Sequence, residues 1–203
     1  MSLFREPDRH PLDKHWAKGE IQKHQRAVMR LAAFDSLVSA AIGQLEHNTT
    51  LHFASGGAWS THELIRHILA QTGPADIAAA TWSLSDEAVN ALVGLLDSGA
   101  ISSLAFLVDY RVQIHCPGAY HIAKHRATEM RVTRCHAKTT VITNAEWNLS
   151  IVGSSNFTNN PRIEAGVIVD DPDVAAFHRG WILAEIANSA PFGMDMRKAK
   201  PYG

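Results

Sequence analysis

The sequence contains few of the features that mark secreted or membrane-spanning proteins. Only two cysteines, Cys116 and Cys135, occur among its 203 residues, which is too few for a disulfide framework. Its first 16 residues are polar and interrupted by proline, so they lack the apolar stretch of a signal peptide. No later apolar run is long enough to cross a bilayer. We therefore expect a cytoplasmic protein without membrane contact.

The sequence also lacks an excess of charge of either sign. It has 19 Lys and Arg against 20 Asp and Glu, a formal net charge of -1, so no overall basic field would attract nucleic acid. Such a partner would have to meet a local patch of basic residues. One is present between positions 111 and 138, where a single acid, Glu129, accompanies Arg111, Lys124, Arg126, Arg131, Arg134 and Lys138.

Strand and helix patterns alternate through the middle of the chain. Apolar runs predict strands at Leu51–Ala54, Asp76–Trp82 and Ile101–Val108, separated by helices that Thr61 and Ser85 would cap. Strands that alternate with helices of this length imply right-handed crossovers, which place parallel strands in one sheet. The expected fold class is therefore α/β, a mixed and largely parallel sheet with helices on both faces.

The chain divides into three predicted parts. Residues 1–46 form an arm and a helix, because apolar residues recur at helical spacing from Lys18 to Glu46. Residues 47–190 form the α/β domain, which is long enough to bury a core of its own. Residues 191–203 form a C-terminal tail. We expect one domain with an N-terminal helical extension.

The residues with the clearest chemical pattern lie between Cys135 and Asp171. In a strand that begins at Cys135, period-2 alternation places His136 and Lys138 on the same face. A polar hairpin connection follows, and a second short strand stops at Gly153. The next turn carries three polar residues in succession, Ser154, Ser155 and Asn156.

This set of side chains suits chemistry at a phosphodiester. An imidazole can attack phosphorus or protonate the leaving oxygen, while Lys, Ser and Asn donate hydrogen bonds to phosphate oxygens as negative charge develops. Each half of the pattern is common by itself, since HxK also occurs on solvated strands and GSSN is an ordinary turn. Their combination at strand spacing is what indicates a site.

The combination resembles the HxK…GSxN signature of the phospholipase D superfamily, whose positions are occupied here by His136, Lys138, Gly153, Ser154 and Asn156. Glu164 resembles the acid that follows this signature in the superfamily's small bacterial nucleases. The resemblance implies that residues 47–190 form a phospholipase-D-like catalytic domain. It implies a phosphodiesterase of the nuclease type, with catalytic residues His136, Lys138, Ser154, Asn156 and Glu164.

The resemblance further implies a mechanism that requires no cofactor and no metal ion. One histidine would form a phosphohistidine intermediate and a second would act as acid, with Glu164 orienting the imidazole. This sequence contains one HxK…GSxN copy, because His121 and Lys124 are spaced HxxK and no GSxN follows them. We therefore predict a homodimer with a composite active site near its two-fold axis. The expected partner is nucleic acid, with DNA favoured.

One position departs from the signature, which has Asp five residues after the Lys, where Thr143 stands here. In the superfamily that Asp is read as support for the fold and for the histidine. Thr143 therefore leaves open a nucleic-acid-binding or assembly module that keeps the cleft without turnover. A phosphodiesterase acting on phospholipid is a further alternative, against which the absence of an amphipathic membrane helix argues.

Two other patterns suggest different sites. His and Cys residues are frequent from His115 to His136, but only His121 and His125 share a helix face, so spacing does not favour a zinc site. Trp59 follows a glycine-rich strand end, where an aromatic ring could stack on a base. Packing is the more common role for a tryptophan.

Overall fold

The computed structural model describes residues 27–33, 37–159 and 161–188. The secondary structure within these ranges is, in chain order, β1 Ala27–Ala33, α1 Val38–Ile42, β2 Thr49–Ser55, α2 Thr61–Thr72, β3 Ala75–Thr81, α3 Asp86–Asp97, β4 Ile101–Asp109, α4 Val112–His115, α5 Pro117–Arg126, β5 Glu129–Thr133, β6 Thr139–Thr143, β7 Asn148–Gly153, β8 Glu164–Asp170 and α6 Pro172–Ala187.

The strands form one sheet in the order β1-β2-β8-β7-β6-β3-β4-β5. The expected mixed α/β sheet is confirmed, but the expectation that it is largely parallel needs correction. Three strand pairs are parallel, namely β1 with β2, β3 with β4 and β4 with β5, and four are antiparallel. The turn from Asn144 to Trp147 joins β6 to β7, and strands joined by so short a connection must run antiparallel.

Helices cover both faces of the sheet, as the sequence predicts. Alternate side chains of β3 point to opposite faces, so Ile77 packs in one core cluster with Ile65 of α2, while Ala78 packs in a second cluster with Ile182 of α6. Ile65 and Ile182 are fully buried, and each such side chain contributes about 1.5–3 kcal/mol to stability. The central strands are thereby fixed from both sides.

The helix starts are set by polar caps. The backbone amide of Ser60 donates to the Glu63 carboxylate at 2.7 Å, and the amide of Glu63 donates back to the Ser60 hydroxyl at 3.4 Å. Ser60 therefore caps α2, one residue before the predicted Thr61. Ser85 caps α3 as predicted, and Asp171 caps α6 with Pro172 in the first helical position. A cap of this kind is worth about 1 kcal/mol.

The helix predicted from Lys18 to Glu46 is wrong over Ala27–Ala33. Residues Ala27–Ala33 form strand β1, which pairs in parallel with β2, and only Val38–Ile42 is helical. A short apolar run satisfies the helical and the strand patterns equally, and pairing with an available strand edge decides between them. Residues 1–26 of the predicted arm and helix lie outside the described residues, as do the predicted tail residues 191–203.

Strand direction gives the sheet two chemically different ends. We call one end of the sheet the motif end. It contains the last residues of β3, β4 and β7 and the first residues of β6 and β8. This follows from the register, in which Ser55 lies opposite Glu164 and Thr139 lies opposite Val152. At the hairpin end lie Thr143, the Asn144–Trp147 turn and the end of β8. The fold therefore gathers both halves of the HxK…GSxN pattern at the motif end.

Candidate active site

The segment that carries His136 and Lys138 immediately precedes β6, rather than lying within a strand as predicted. The two side chains nevertheless lie on the same side. The Lys138 ammonium nitrogen is 3.4 Å from each ring nitrogen of His136 and donates to the His136 carbonyl oxygen at 2.9 Å. An anion held at the imidazole would therefore also contact the ammonium.

The turn after β7 lies directly beside this segment. The Gly153 amide donates to the Lys138 carbonyl at 3.2 Å, which joins the two halves of the pattern through the backbone. A Cβ on Gly153 would lie 2.8 Å from the Ala165 carbonyl oxygen and 3.1 Å from the Gly166 Cα. Both contacts are with backbone, so glycine is required for β7 and β8 to approach this closely.

Ser154 and Glu164 are paired with each other. The exposed Ser154 hydroxyl donates to the Glu164 carboxylate, and the amide of Ala165 donates to the same hydroxyl at 3.1 Å. Among the described residues, the hydrogen bond of Glu164 is thus to Ser154 and not to His136. The predicted orientation of His136 by Glu164 stays a prediction. Glu164 nevertheless lies near enough to Lys138 for its charge to raise the pKa of that amine.

Asn156 contacts the ends of two other elements, α2 and β3. Its backbone carbonyl accepts from the Thr61 hydroxyl at 3.0 Å, and its side-chain oxygen is 3.5 Å from the Thr81 hydroxyl at the end of β3. The next residue, Phe157, accepts from the Ser85 amide at 2.8 Å. The GSSN turn is therefore held by contacts far from it in sequence, which fixes its position relative to β6.

A small cavity lies behind the site, toward the core. It has a volume of about 20 Å³, and Lys138, Gly153 and Ser155 contribute to its wall. A space of this size holds about one water molecule, so it cannot take a phosphodiester. Substrate must approach from the side on which His136 is exposed. Ser155, rather than Ser154, is the serine that faces the cavity with Lys138.

Burial shifts the pKa of two groups beside His136 in opposite senses. It lowers the pKa of the Lys138 amine, which the nearby charge of Arg111 lowers further while Cys135 and Glu164 act in the opposite direction. It raises the pKa of the Cys135 thiol to about 11. That thiol stays protonated at neutral pH and is a poor nucleophile.

The sequence analysis named Arg111 only as part of the basic patch and did not identify Trp82 and Asp109, which lie with it beside the His136 segment. The Trp82 ring centre is 5.5 Å from the His136 ring centre, and the Arg111 guanidinium carbon is 4.7 Å from the centre of the same indole. The buried Asp109 binds Arg111 through its side chain at 2.7 Å. Trp82 and Asp109 stand at the ends of β3 and β4, and this position at the carboxyl ends of neighbouring parallel strands is the signal that could have identified them.

Two other positions that the sequence singled out are Thr143 and Trp59. Thr143 is the last residue of β6 and stands at the hairpin end, opposite Asp76 of β3. Trp59 is buried and packs against Phe53, with ring centres 5.1 Å apart, so its role is packing. Within the three described ranges, His, Cys, Asp and Glu form no group of three or more that could hold a metal ion. None of the helices described is both long and apolar enough to span a bilayer.

Comparison with known proteins yields solved structures of similar fold. No family model matches the chain, and no curated protein sequence does. Nuc from Salmonella typhimurium, a phospholipase D family member, is 19% identical with a TM-score of 0.45, covering 54% of this chain and 76% of its own. NucT from Helicobacter pylori is 12% identical with a TM-score of 0.46, covering 66% of this chain and 94% of its own.

Polyphosphate kinase from Porphyromonas gingivalis is a further similar structure. It is 15% identical with a TM-score of 0.49, and the match covers 71% of this chain but only 27% of the kinase. The chain thus spans about a quarter of that enzyme. A phospholipase D family member is therefore among the solved structures that the chain resembles, at 19% identity.

Proposed function

We propose that this protein is a metal-independent phosphodiesterase, a nuclease that acts through a phosphohistidine in a homodimeric site. The observation that carries the proposal is the placement of Lys138 within 3.4 Å of both His136 ring nitrogens, beside a GSSN turn bonded to the Lys138 backbone. The imidazole supplies a nucleophile, and the ammonium supplies positive charge where phosphate oxygens would lie.

The proposed reaction has two steps. A ring nitrogen of His136 in one copy attacks phosphorus, a P–N bond forms, and the bond from phosphorus to the leaving oxygen breaks. His136 of the second copy gives its proton to that oxygen. In the second step water attacks phosphorus, its proton passes to the neutral His136 of the second copy, and the P–N bond breaks. Both histidines return to their starting states.

The other residues of the pattern would bind the phosphate. Lys138 and Asn156 would donate to the nonbridging oxygens as charge develops on them. The Ser154 hydroxyl donates to Glu164 in this structure, so it must turn away from the carboxylate to donate to a phosphate oxygen. Glu164 would then be available to a protonated imidazole. The protein supplies positive charge itself, so the proposed steps call for no metal ion.

The requirement for a second copy follows from the number of histidines. A single chain places one HxK…GSxN pattern at its motif end, while the reaction uses a nucleophilic and an acidic imidazole. Two exposed His136 side chains would face each other across a two-fold axis. Nucleic acid, with DNA favoured, fits such a site because its backbone repeats the phosphodiester and meets basic side chains without base recognition.

The experiment that tests this function is a search for the covalent intermediate. The protein is incubated briefly in EDTA at mildly acidic pH with a DNA oligonucleotide, and its denatured and native masses are measured. We expect a dimer with a nucleotide adduct on His136. His136→Ala should lose the adduct and lower the cleavage rate by a factor on the order of 10³ or more. The matched control is His125→Ala, which removes an exposed histidine on α5.

Other outcomes would favour the alternatives. A folded dimer that binds DNA equally well with and without His136, and that forms neither adduct nor product, would identify a binding module. Cleavage that EDTA abolishes would contradict the metal-independent mechanism. Adduct formation by a protein that remains monomeric at all working concentrations would contradict the composite site.

A further inference from the structure

A cluster outside the HxK…GSxN pattern adjoins the imidazole at the motif end. We call Trp82, Asp109 and Arg111 the Trp82 cluster. The Arg111 guanidinium carbon lies 4.7 Å from the centre of the indole, and the His136 ring centre lies 5.5 Å from the same centre. The guanidinium and the imidazole thus both contact the same indole.

A buried carboxylate holds this cluster to the motif. Asp109 is 2% exposed, and one of its oxygens accepts from the side chain of Arg111 at 2.7 Å and from its amide at 3.1 Å. The other oxygen accepts from the amide of Cys135 at 3.0 Å. Because Cys135 directly precedes His136, a single carboxylate positions both the guanidinium and the imidazole segment. Charge-assisted bonds to a buried acid make this arrangement rigid.

Two cations, Arg111 of the cluster and Lys138 of the motif, lie against the Trp82 ring. The Lys138 ammonium nitrogen is 5.7 Å from the centre of the Trp82 ring, on which Arg111 also lies. Burial is the main cause of the lowered pKa of Lys138, and the charge of Arg111 contributes to it. The two cations are therefore near enough to repel each other, and a polyanion bound across them would relieve that repulsion.

We propose that Arg111 binds the phosphate adjacent to the one that His136 attacks, so that the site selects a chain of phosphodiesters over a single small one. This inference rests on the proposed function of His136. Nucleic acid carries a phosphate at every nucleotide, and a guanidinium forms paired hydrogen bonds with phosphate oxygens. A small phosphodiester has one phosphate and gains nothing from Arg111.

The test compares two substrates in Arg111→Gln. For a DNA oligonucleotide we expect kcat/KM to fall about tenfold or more, the usual effect of losing a charge-assisted hydrogen bond. Hydrolysis of bis(p-nitrophenyl) phosphate should stay within about twofold of the wild-type rate, since only the His136 site binds it. Arg179→Gln, an arginine on α6 near Thr143 at the hairpin end, is the matched control. Equal losses on both substrates would overturn the subsite and make Arg111 a positioning residue for His136.

A binding measurement keeps this test independent of turnover. In the His136→Ala background, the affinity for the oligonucleotide is measured over a series of salt concentrations. Arg111→Gln should reduce the slope of log K against log salt by about 1, while Arg111→Lys should leave it unchanged. A protein that binds with this slope change but never cleaves would refute the proposed reaction and retain the subsite. A slope unaltered by Arg111→Gln would overturn the subsite whether or not the protein cleaves.

Discussion

The motif end and the hairpin end of β6 differ in how their polar groups are used. At the hairpin end, Asn144 donates through its side chain to the carbonyls of Thr72 and Pro74, and its side-chain oxygen accepts from the amides of Glu146 and Trp147. Every polar atom of this amide group therefore stabilises a turn. At the motif end, His136 is exposed and a half-buried Lys138 faces it.

This difference indicates that the two ends of β6 have different roles. The hairpin end contributes stability through satisfied hydrogen bonds, whereas the motif end holds charges that water would solvate better. Thr143, the position that departs from the superfamily signature, belongs to the stabilising end. The four residue steps of β6 from Thr139 to Thr143 span roughly 13 Å, so Thr143 is too distant to contact His136.

Among the variants that test these different roles, Lys138→Met should have the largest effect. Loss of the ammonium should lower the rate of phosphodiester cleavage by about 10²-fold or more, because the charge that develops on phosphate oxygens loses its donor. At neutral pH the same substitution should raise the stability of the folded protein. Burial lowers the pKa of Lys138, so the folded protein carries the cost of a poorly solvated charge that Met removes.

The pH dependence of unfolding makes this prediction specific. Between the lowered pKa of folded Lys138 and its unfolded value of 10.5, the unfolded chain binds more protons, so wild-type stability rises with pH. The advantage of the Met variant is therefore greatest at neutral pH and shrinks as the pH approaches 10.5. Urea denaturation at several pH values measures it. An advantage that grows with pH would contradict the assignment.

A smaller effect, on stability alone, is expected from Gly153→Ala at the junction of the two motif halves. The new Cβ would meet backbone atoms of Ala165 and Gly166 at 2.8 and 3.1 Å, and overpacking of this kind costs about 1–3 kcal/mol. Gly94→Ala is the matched control, because Gly94 lies inside α3 and, apart from its chain neighbours and the backbone of that helix, no atom lies within 4 Å of the added methyl group.

Chemical denaturation of the two glycine variants should give opposite signs. Gly94→Ala should raise the free energy of unfolding by about 0.5–1 kcal/mol, since alanine favours the helix and restricts the unfolded chain. If Gly153→Ala were as stable as wild type, β7 and β8 would not need the close approach that fixes the GSSN turn beside Lys138.

The sequence predicted the local parts of this arrangement well. His136 and Lys138 share a side as period-2 alternation predicts, and Ser85 caps its helix through neighbours in the chain. The antiparallel hairpin between β6 and β7 follows from its short turn. In each case the controlling interactions join residues a few positions apart, which is the range over which sequence patterns are informative.

The parts that depend on strand order could not be predicted. Asp109 meets the amide of Cys135 across 26 positions, because β5 pairs in parallel with β4 and places Thr133, two residues before Cys135, opposite Asp109. No periodicity encodes that order. The sequence pattern of β1 predicts a helix for a related reason, since its apolar run becomes a strand only through pairing with β2. The strand-end positions of Trp82 and Asp109 could be inferred from the sequence, but the contacts within the Trp82 cluster were visible only in the folded chain.

The smallest expected effect comes from restoring the signature acid with Thr143→Asp. Thr143 and Asp76 are direct partners in the pairing of β3 with β6, so the new carboxylate would stand opposite an existing one. Like charges at directly opposed positions destabilise a sheet by about 0.2–1 kcal/mol. The Ser103 hydroxyl donates to Asp76 at 2.6 Å, so one carboxylate at this place in the sheet is already hydrogen-bonded.

Thr143→Asn is the control, because it matches Asp in shape but adds no charge. We expect Thr143→Asp to unfold at lower denaturant concentration than Thr143→Asn, with a difference that narrows when salt screens the two carboxylates. Cleavage of DNA should stay within about twofold of wild type for both variants, since neither change reaches the imidazole. A large gain in activity with Thr143→Asp would show that the two ends of β6 are coupled, because a charge at the hairpin end would then be acting on His136 through the strand.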